Sequence, residues 1–167
     1  MSLQAVFENM EKLIEAHQTL LDLGERKKQA LIVNDIDQLT AAVNKEGRLI
    51  KQVTELDQQR IHAIGAFMLE KGYRPNPYVT ISDLTKLIFK MDEKKALQTL
   101  QQTLLQTIER LKTLNELNRQ LLEQSLTFVN YSLDLVLGPP EDEAVYQNPQ
   151  QQQGYGFKRQ GMFDSRA

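Results

Sequence analysis

The chain has 167 residues, 41% hydrophobic and 25% charged, with a formal net charge of -2 and neither cysteine nor tryptophan. Near-neutral charge gives counterion release little to act on, which argues against a nucleic-acid partner. The missing cysteines remove disulfide frameworks, thiol nucleophiles and thiolate zinc sites. No run approaches the ~18–20 apolar residues of a bilayer span, and no basic segment followed by an apolar stretch and a cleavage site opens the chain. A cytoplasmic protein without membrane insertion is expected.

The five prolines, at 75, 77, 139, 140 and 149, leave two long proline-free stretches rich in Leu, Gln, Lys and Glu. Such straight side chains lose little rotamer freedom in a helix. In the first stretch Leu3, Val6, Phe7, Met10, Leu13, Ile14, Leu20, Leu21, Leu31 and Ile32 recur at helical period, predicting a helix over 3–33. Asn34 and Asp35 interrupt it and can cap a second helix. Ile36, Leu39, Val43, Leu49, Ile50, Val53, Leu56, Ile64, Phe67 and Met68 predict that helix over 36–71. A connection this short favours an antiparallel hairpin over one bent rod.

Gly72 is a helix stop, and two prolines make Tyr73 to Thr80 a linker. A short amphipathic helix is expected over 82–90, with Leu84, Leu87 and Ile88 on one side. Asp92 is expected to cap the longest element, 92–137, whose stripe includes Leu97, Leu100, Leu104, Ile108, Leu111, Leu114, Leu117, Leu121, Leu122, Leu126, Val129, Leu133 and Val136. At 1.5 Å per residue this helix is roughly 65–70 Å long. The expected fold is all-α, an elongated antiparallel hairpin or bundle of three long helices plus one short helix, forming a domain over 1–137. Gly138-Pro139-Pro140 ends it. Residues 138–167 contain no Leu or Ile and are dominated by Gln, Gly and Pro, so a flexible tail, disordered when free, is expected there. Its scattered Val145, Tyr146, Tyr155, Phe157, Met162 and Phe163 fit recognition elements as well as a plain solvated tail.

No catalytic constellation assembles. His17 and His62 are not at metal-ligand spacing, and there is no phosphate-binding Gly-rich loop, GxSxG or HExxH. No enzyme, cofactor or metal is expected. His17 falls on the first stripe and reads as a packed or hydrogen-bonded core histidine. Gly24 continues that stripe and reads as a close helix approach or a bend. Glu46 and Arg60 stand where the second stripe expects apolar residues, and either pair with other helices or mark an incompletely buried face. Asn115 and Asn118 flank the last stripe, where polar residues commonly fix register.

Apolar residues on the last helix, Leu97, Leu105, Leu117, Phe128, Tyr131 and Leu135 among them, spread wider than the ~100° face a surface helix needs. For any one leucine, intramolecular core is the better reading. The width over Leu117 to Leu137, however, favours a partner laid in a groove, or a self-associating coiled-coil scaffold closed by the same leucines.

The order of these elements resembles the FlgN-type flagellar export chaperones. The residues that carry the likeness are KKQALIVNDIDQLTAAVNKEGRLIKQVTELDQQR at 27–60 and the Leu-Asn-x-x-Asn-x-x-Leu-Leu element within LKTLNELNRQLLEQSL at 111–126. Ala144-Val145-Tyr146 in the tail is similar to the family's short apolar-Tyr signature. The resemblance implies a cytosolic type III export chaperone of flagellum assembly that holds helical C-terminal segments of the hook–filament junction proteins FlgK and FlgL. On it, client contacts are expected at Leu114, Leu117, Leu121, Leu122, Phe128, Tyr131 and Leu135. Contacts with the export gate protein FlhA are expected at Tyr146 and Val145, with Tyr155-Gly156 as the other Tyr-bearing candidate. A monomer or weak homodimer is expected, and a different flagellar client is the neighbouring alternative.

Overall fold

The computed structural model describes residues 2–138, and among them four helices and no strand occur. In chain order these are α1 (Ser2–Val33), α2 (Ile36–Glu70), α3 (Ile81–Leu87) and α4 (Met91–Leu137). The all-α class, the three long helices and the short one are as the periodicity predicts. Tyr146, Val145 and Tyr155 lie outside the described residues.

Asn34 breaks the first proline-free stretch by adopting a left-handed φ of 56°, a conformation that Asn tolerates better than most side chains. Asp35 then caps α2, its Oδ1 accepting the Gln38 N–H at 2.9 Å. The two helices fold back antiparallel. Lys27 meets Glu46 near the turn at 2.7 Å, and Ser2 donates to the Glu70 carboxylate at the far end.

Gly72, at φ 81°, turns the chain out of α2. The short helix differs from expectation at both ends. It starts after Thr80, not at Ser82, because Thr80 and Asp83 form a reciprocal capping box. It stops at Leu87, three residues early, because Ile88 is extended (φ -90°, ψ 121°) and turns its side chain into the core. Asp92 does not cap α4. The helix begins at Met91, the Lys94 N–H donates to the Lys90 carbonyl at 3.0 Å, and Asp92 and Glu93 occupy the first turn, where acidic groups complement the dipole.

One core cluster fills the end of the bundle at which α1 begins, joining Val6 and Met10 of α1, Ile64 and Phe67 of α2, Leu84 of α3 and Leu97 of α4. A second, smaller one joins Leu13, Ala16 and Leu56. Residues that meet across α1 and α4 rise together along both helices, Met10 with Leu97 and Gly24 with Asn118. Thus α4 runs parallel to α1 and antiparallel to α2.

The chain divides into two compact units, Met1–Val129 and Asn130–Ala167. In the second, the described residues are the last turns of α4 and Gly138, at φ 80°. Among the described residues no helix is long and apolar enough to cross a membrane.

Candidate functional site

The side of α4 that faces the bundle is set by Leu97, Leu100, Leu104, Thr107, Leu114 and Asn118. Its composition changes along the helix. Past Leu104 the fully buried positions are Thr107, Leu114 and Asn118, only one of them apolar. Thr107 returns its hydroxyl to the Thr103 carbonyl at 2.8 Å. Asn118 donates its side-chain amide to the Gly24 carbonyl of α1 at 2.9 Å, while its Oδ1 is buried without a hydrogen-bond partner. Gly24 is where the two helices come closest: a Cβ there would lie 2.6 Å from Leu114 Cδ2. The close-approach reading of Gly24 holds, and the register role expected of the asparagines falls to Asn118, since Asn115 is exposed.

Leu114 is therefore interior packing, 7% exposed, and does not belong to an outward-facing partner surface. Leu121 is half-buried, whereas Leu117, Leu122, Phe128, Tyr131 and Leu135 are exposed. Leu126, Val129, Leu133 and Val136, in the stretch whose width points to a partner, are exposed as well.

At 3.6 residues per turn these exposed residues fall on two flanks of α4, one either side of the buried stripe. Leu117, Leu121 and Phe128 share the first flank, and Tyr131 and Leu135 are exposed in the second unit. Leu105, the half-buried Ile108 and Leu126 share the second flank, while Leu122 and Val129 stay within about 40° of the line through Asn118. A charged ridge separates the two flanks on the outer side of the helix, where Arg119 pairs with Glu116 at 2.6 Å and with Glu123 one turn on. The Arg119 guanidinium and the Gln120 amide hold the Glu116 carboxyl well below the usual carboxylate range, at about 2.

Each flank opens on a cleft. Leu114 and Leu117 line one of about 630 Å³ with Leu21, Glu25 and Lys28 of α1. Leu105 and Ile108 line another of about 640 Å³, which includes His17, Asp57, Arg60 and the 77–81 segment. Phe128 and Val129 reach Leu31, Ile32 and Ile36 across a third, of about 440 Å³. The lone polar residues of the helical stripes are all engaged. His17 Nδ1 lies 2.6 Å from the Leu13 carbonyl, Glu46 pairs with Lys27 on α1, and Arg60 pairs with Asp57 on its own helix. Among the described residues no cluster of three or more His, Cys, Asp or Glu side chains is placed to hold a metal.

These features suit protein recognition by helix faces. The chain is 31% identical, over the full length of both proteins, to the uncharacterized protein YvyG of Bacillus subtilis (strain 168). No solved structure matches it. The family model described as FlgN protein matches residues 1–154, and with that coverage the chain belongs to the FlgN family of flagellar export chaperones.

Proposed function

We propose that this FlgN-family chaperone works in the cytoplasm, captures helical C-terminal segments of the hook–filament junction proteins FlgK and FlgL, and delivers them to the export gate protein FlhA. The observation that carries the reading is the run of large apolar side chains left at the surface of α4: Leu117, Leu122, Leu126, Phe128 and Val129 are each at least 42% exposed within thirteen residues. Large apolar side chains exposed at this density along one helix mark a binding surface more often than an idle one. Leu117, Leu121, Leu122, Phe128, Tyr131 and Leu135 are the proposed client contacts, and Tyr146 with Val145 the proposed gate contact.

Burying some ~1,000 Å² of apolar area at ~25 cal/mol/Å² supplies a gross term of about 25 kcal/mol, most of it consumed by association and ordering. The remainder suits a client that must be released again. Nothing in this reading needs a cofactor or catalysis by this chain.

Purified chain and a purified hook–filament junction protein, mixed and followed by titration calorimetry, test the proposal. Binding that collapses when Leu122 and Phe128 are both changed to Glu supports it. Full affinity in that variant removes α4 as the client surface. A concentration-independent oligomer in light scattering, with α4 protected in the free protein, would favour the self-associating scaffold.

A further inference from the structure

The second flank of α4 has a counterpart on α2. Ile36, Val43 and Ile50 repeat at seven-residue spacing along α2, and they are 67%, 48% and 54% exposed. Asp57 takes the next position in that series, and it lines the 640 Å³ cleft together with Leu105 and Ile108 of α4. Because α2 and α4 run antiparallel, the two rows face each other at both ends: Ile36 borders the 440 Å³ cleft with Val129, and Asp57 borders the 640 Å³ cleft with Leu105 and Ile108. Met10, Leu13 and His17 of α1 line the same cleft between them, and the 77–81 segment borders it at the end where α3 sits.

Three helices that expose two facing apolar rows over a shared floor present the surface on which a fourth helix packs in a four-helix bundle. From Asp57 back to Ile36 the α2 row spans 21 residues, which at 1.5 Å per residue is about 32 Å, the length of a helix of ~20 residues. The bordered end also sets a polarity. Arg60 stands there with five N–H donors, of which Asp57 Oδ1 takes those of Nε and Nη2 at 2.9 Å. The last carbonyls of a helix lack intrahelical partners and carry its negative pole, so a cationic donor at a groove end complements a helix C-terminus.

Building on the export-chaperone reading, we propose that the α2–α4 groove seats an amphipathic client helix of about 20 residues, in addition to the client contacts on the Leu117–Phe128 flank, with its C-terminal end against Arg60 and the 77–81 segment. The client then completes a four-helix bundle with this chain.

The test uses the full-length chain and a purified FlgK-type junction protein as probe. Ile50 and Leu105 are exposed, so Ile50→Glu and Leu105→Glu should leave the thermal midpoint in place while each weakens binding at least tenfold. Unchanged binding in both variants, with the wild type still binding, overturns the groove and leaves the chaperone reading standing. A wild type that binds no junction protein overturns both. Polarity is read separately, because a cysteine placed by Tyr78→Cys is unique in a chain without native cysteine. An acceptor dye on it should show stronger energy transfer from a donor at the client's C-terminus than from one placed ~20 residues upstream, and the reverse order overturns the proposed direction. A dimer in light scattering that Leu105→Glu dissolves would place a second copy of this chain in the groove, against the proposal.

Discussion

The side-chain amide of Asn118 and the backbone carbonyl of Gly24 meet at 2.9 Å across 94 residues of sequence, one turn of α4 beyond the point where Leu114 packs against the same glycine. A single missing side chain on α1 thus admits both a leucine and a buried amide from α4. The register of α1 against α4 is fixed by this site.

Gly24→Ala should destabilise the protein. The gain of ~1 kcal/mol in helix propensity is outweighed by forcing Leu114, itself buried, away from a 2.6 Å contact, an overpacking cost of about 1–3 kcal/mol. Gly47 has nothing within 4 Å of an added Cβ, so Gly47→Ala should stabilise by about 0.5–1 kcal/mol. Thermal unfolding of the two variants side by side checks the contrast, and stabilisation of both would mean the helices separate more easily than this packing allows.

Asn118→Ala should cost about 1–2 kcal/mol, the worth of a buried hydrogen bond with a small cavity. The loss stays modest because the wild-type Oδ1 is already unpaired and the Gly24 carbonyl keeps its own helical bond. Chemical denaturation gives the number.

The Lys27–Glu46 pair joins α1 to α2 with both side chains at most 16% exposed. A double-mutant cycle should return a coupling of about 1–2 kcal/mol, above the usual surface pair. The same cycle on Glu109 and Lys112, 3.8 Å apart and more than 70% exposed, should return close to zero. Equal couplings would show that burial is not what strengthens the interhelical pair.

Stability should fall in acid through the capping box of α3. The Thr80 hydroxyl, then the Lys86 ammonium, hold the Asp83 carboxyl down to about 2. A carboxyl depressed on folding contributes fully above its unfolded pKa, near ~4, and the contribution is lost as pH falls through about 2. Glu116 behaves alike for its own reasons. The thermal midpoint should therefore drop between pH 4 and pH 2, and Asp83→Asn with Glu116→Gln should flatten that slope.

Tyr146→Ala should leave client affinity unchanged and weaken binding to the cytoplasmic domain of the export gate protein. Parallel titrations against client and gate read both; an equal loss in each would show that Tyr146 contributes to client capture too.

Much of this fold was legible because its punctuation is chemical. Asn34, Asp35, Gly72 and the prolines each mark a boundary for a reason visible in one residue. The capping box was within reach too, since Thr80 and Asp83 have the right spacing, but Ser82 offered a competing start. What a linear stripe does not reveal is which of several apolar residues on a wide face turns inward. Leu114 was expected at the partner surface and is buried because Gly24, ninety residues away, leaves it room. Leu126 and Val129, in the stretch whose width pointed to a partner, are exposed, whereas the contact line of α4 runs through the polar Thr107 and Asn118. The pairing of the α2 row from Ile36 to Ile50 with Leu105 and Ile108 needed the helix directions, which no local pattern encodes.

The two contacts made by α1 differ in what they ask of a folding chain. Lys27 and Glu46 close a loop of 19 residues, whereas Gly24 and Asn118 close one of 94. On loop entropy alone the second closure is harder by about 1.4 kcal/mol. The hairpin of α1 and α2 should therefore assemble first, with the last helix arriving onto a preformed template. Whatever slows folding of this protein then acts on the docking of α4, the same helix whose flanks carry exposed apolar side chains.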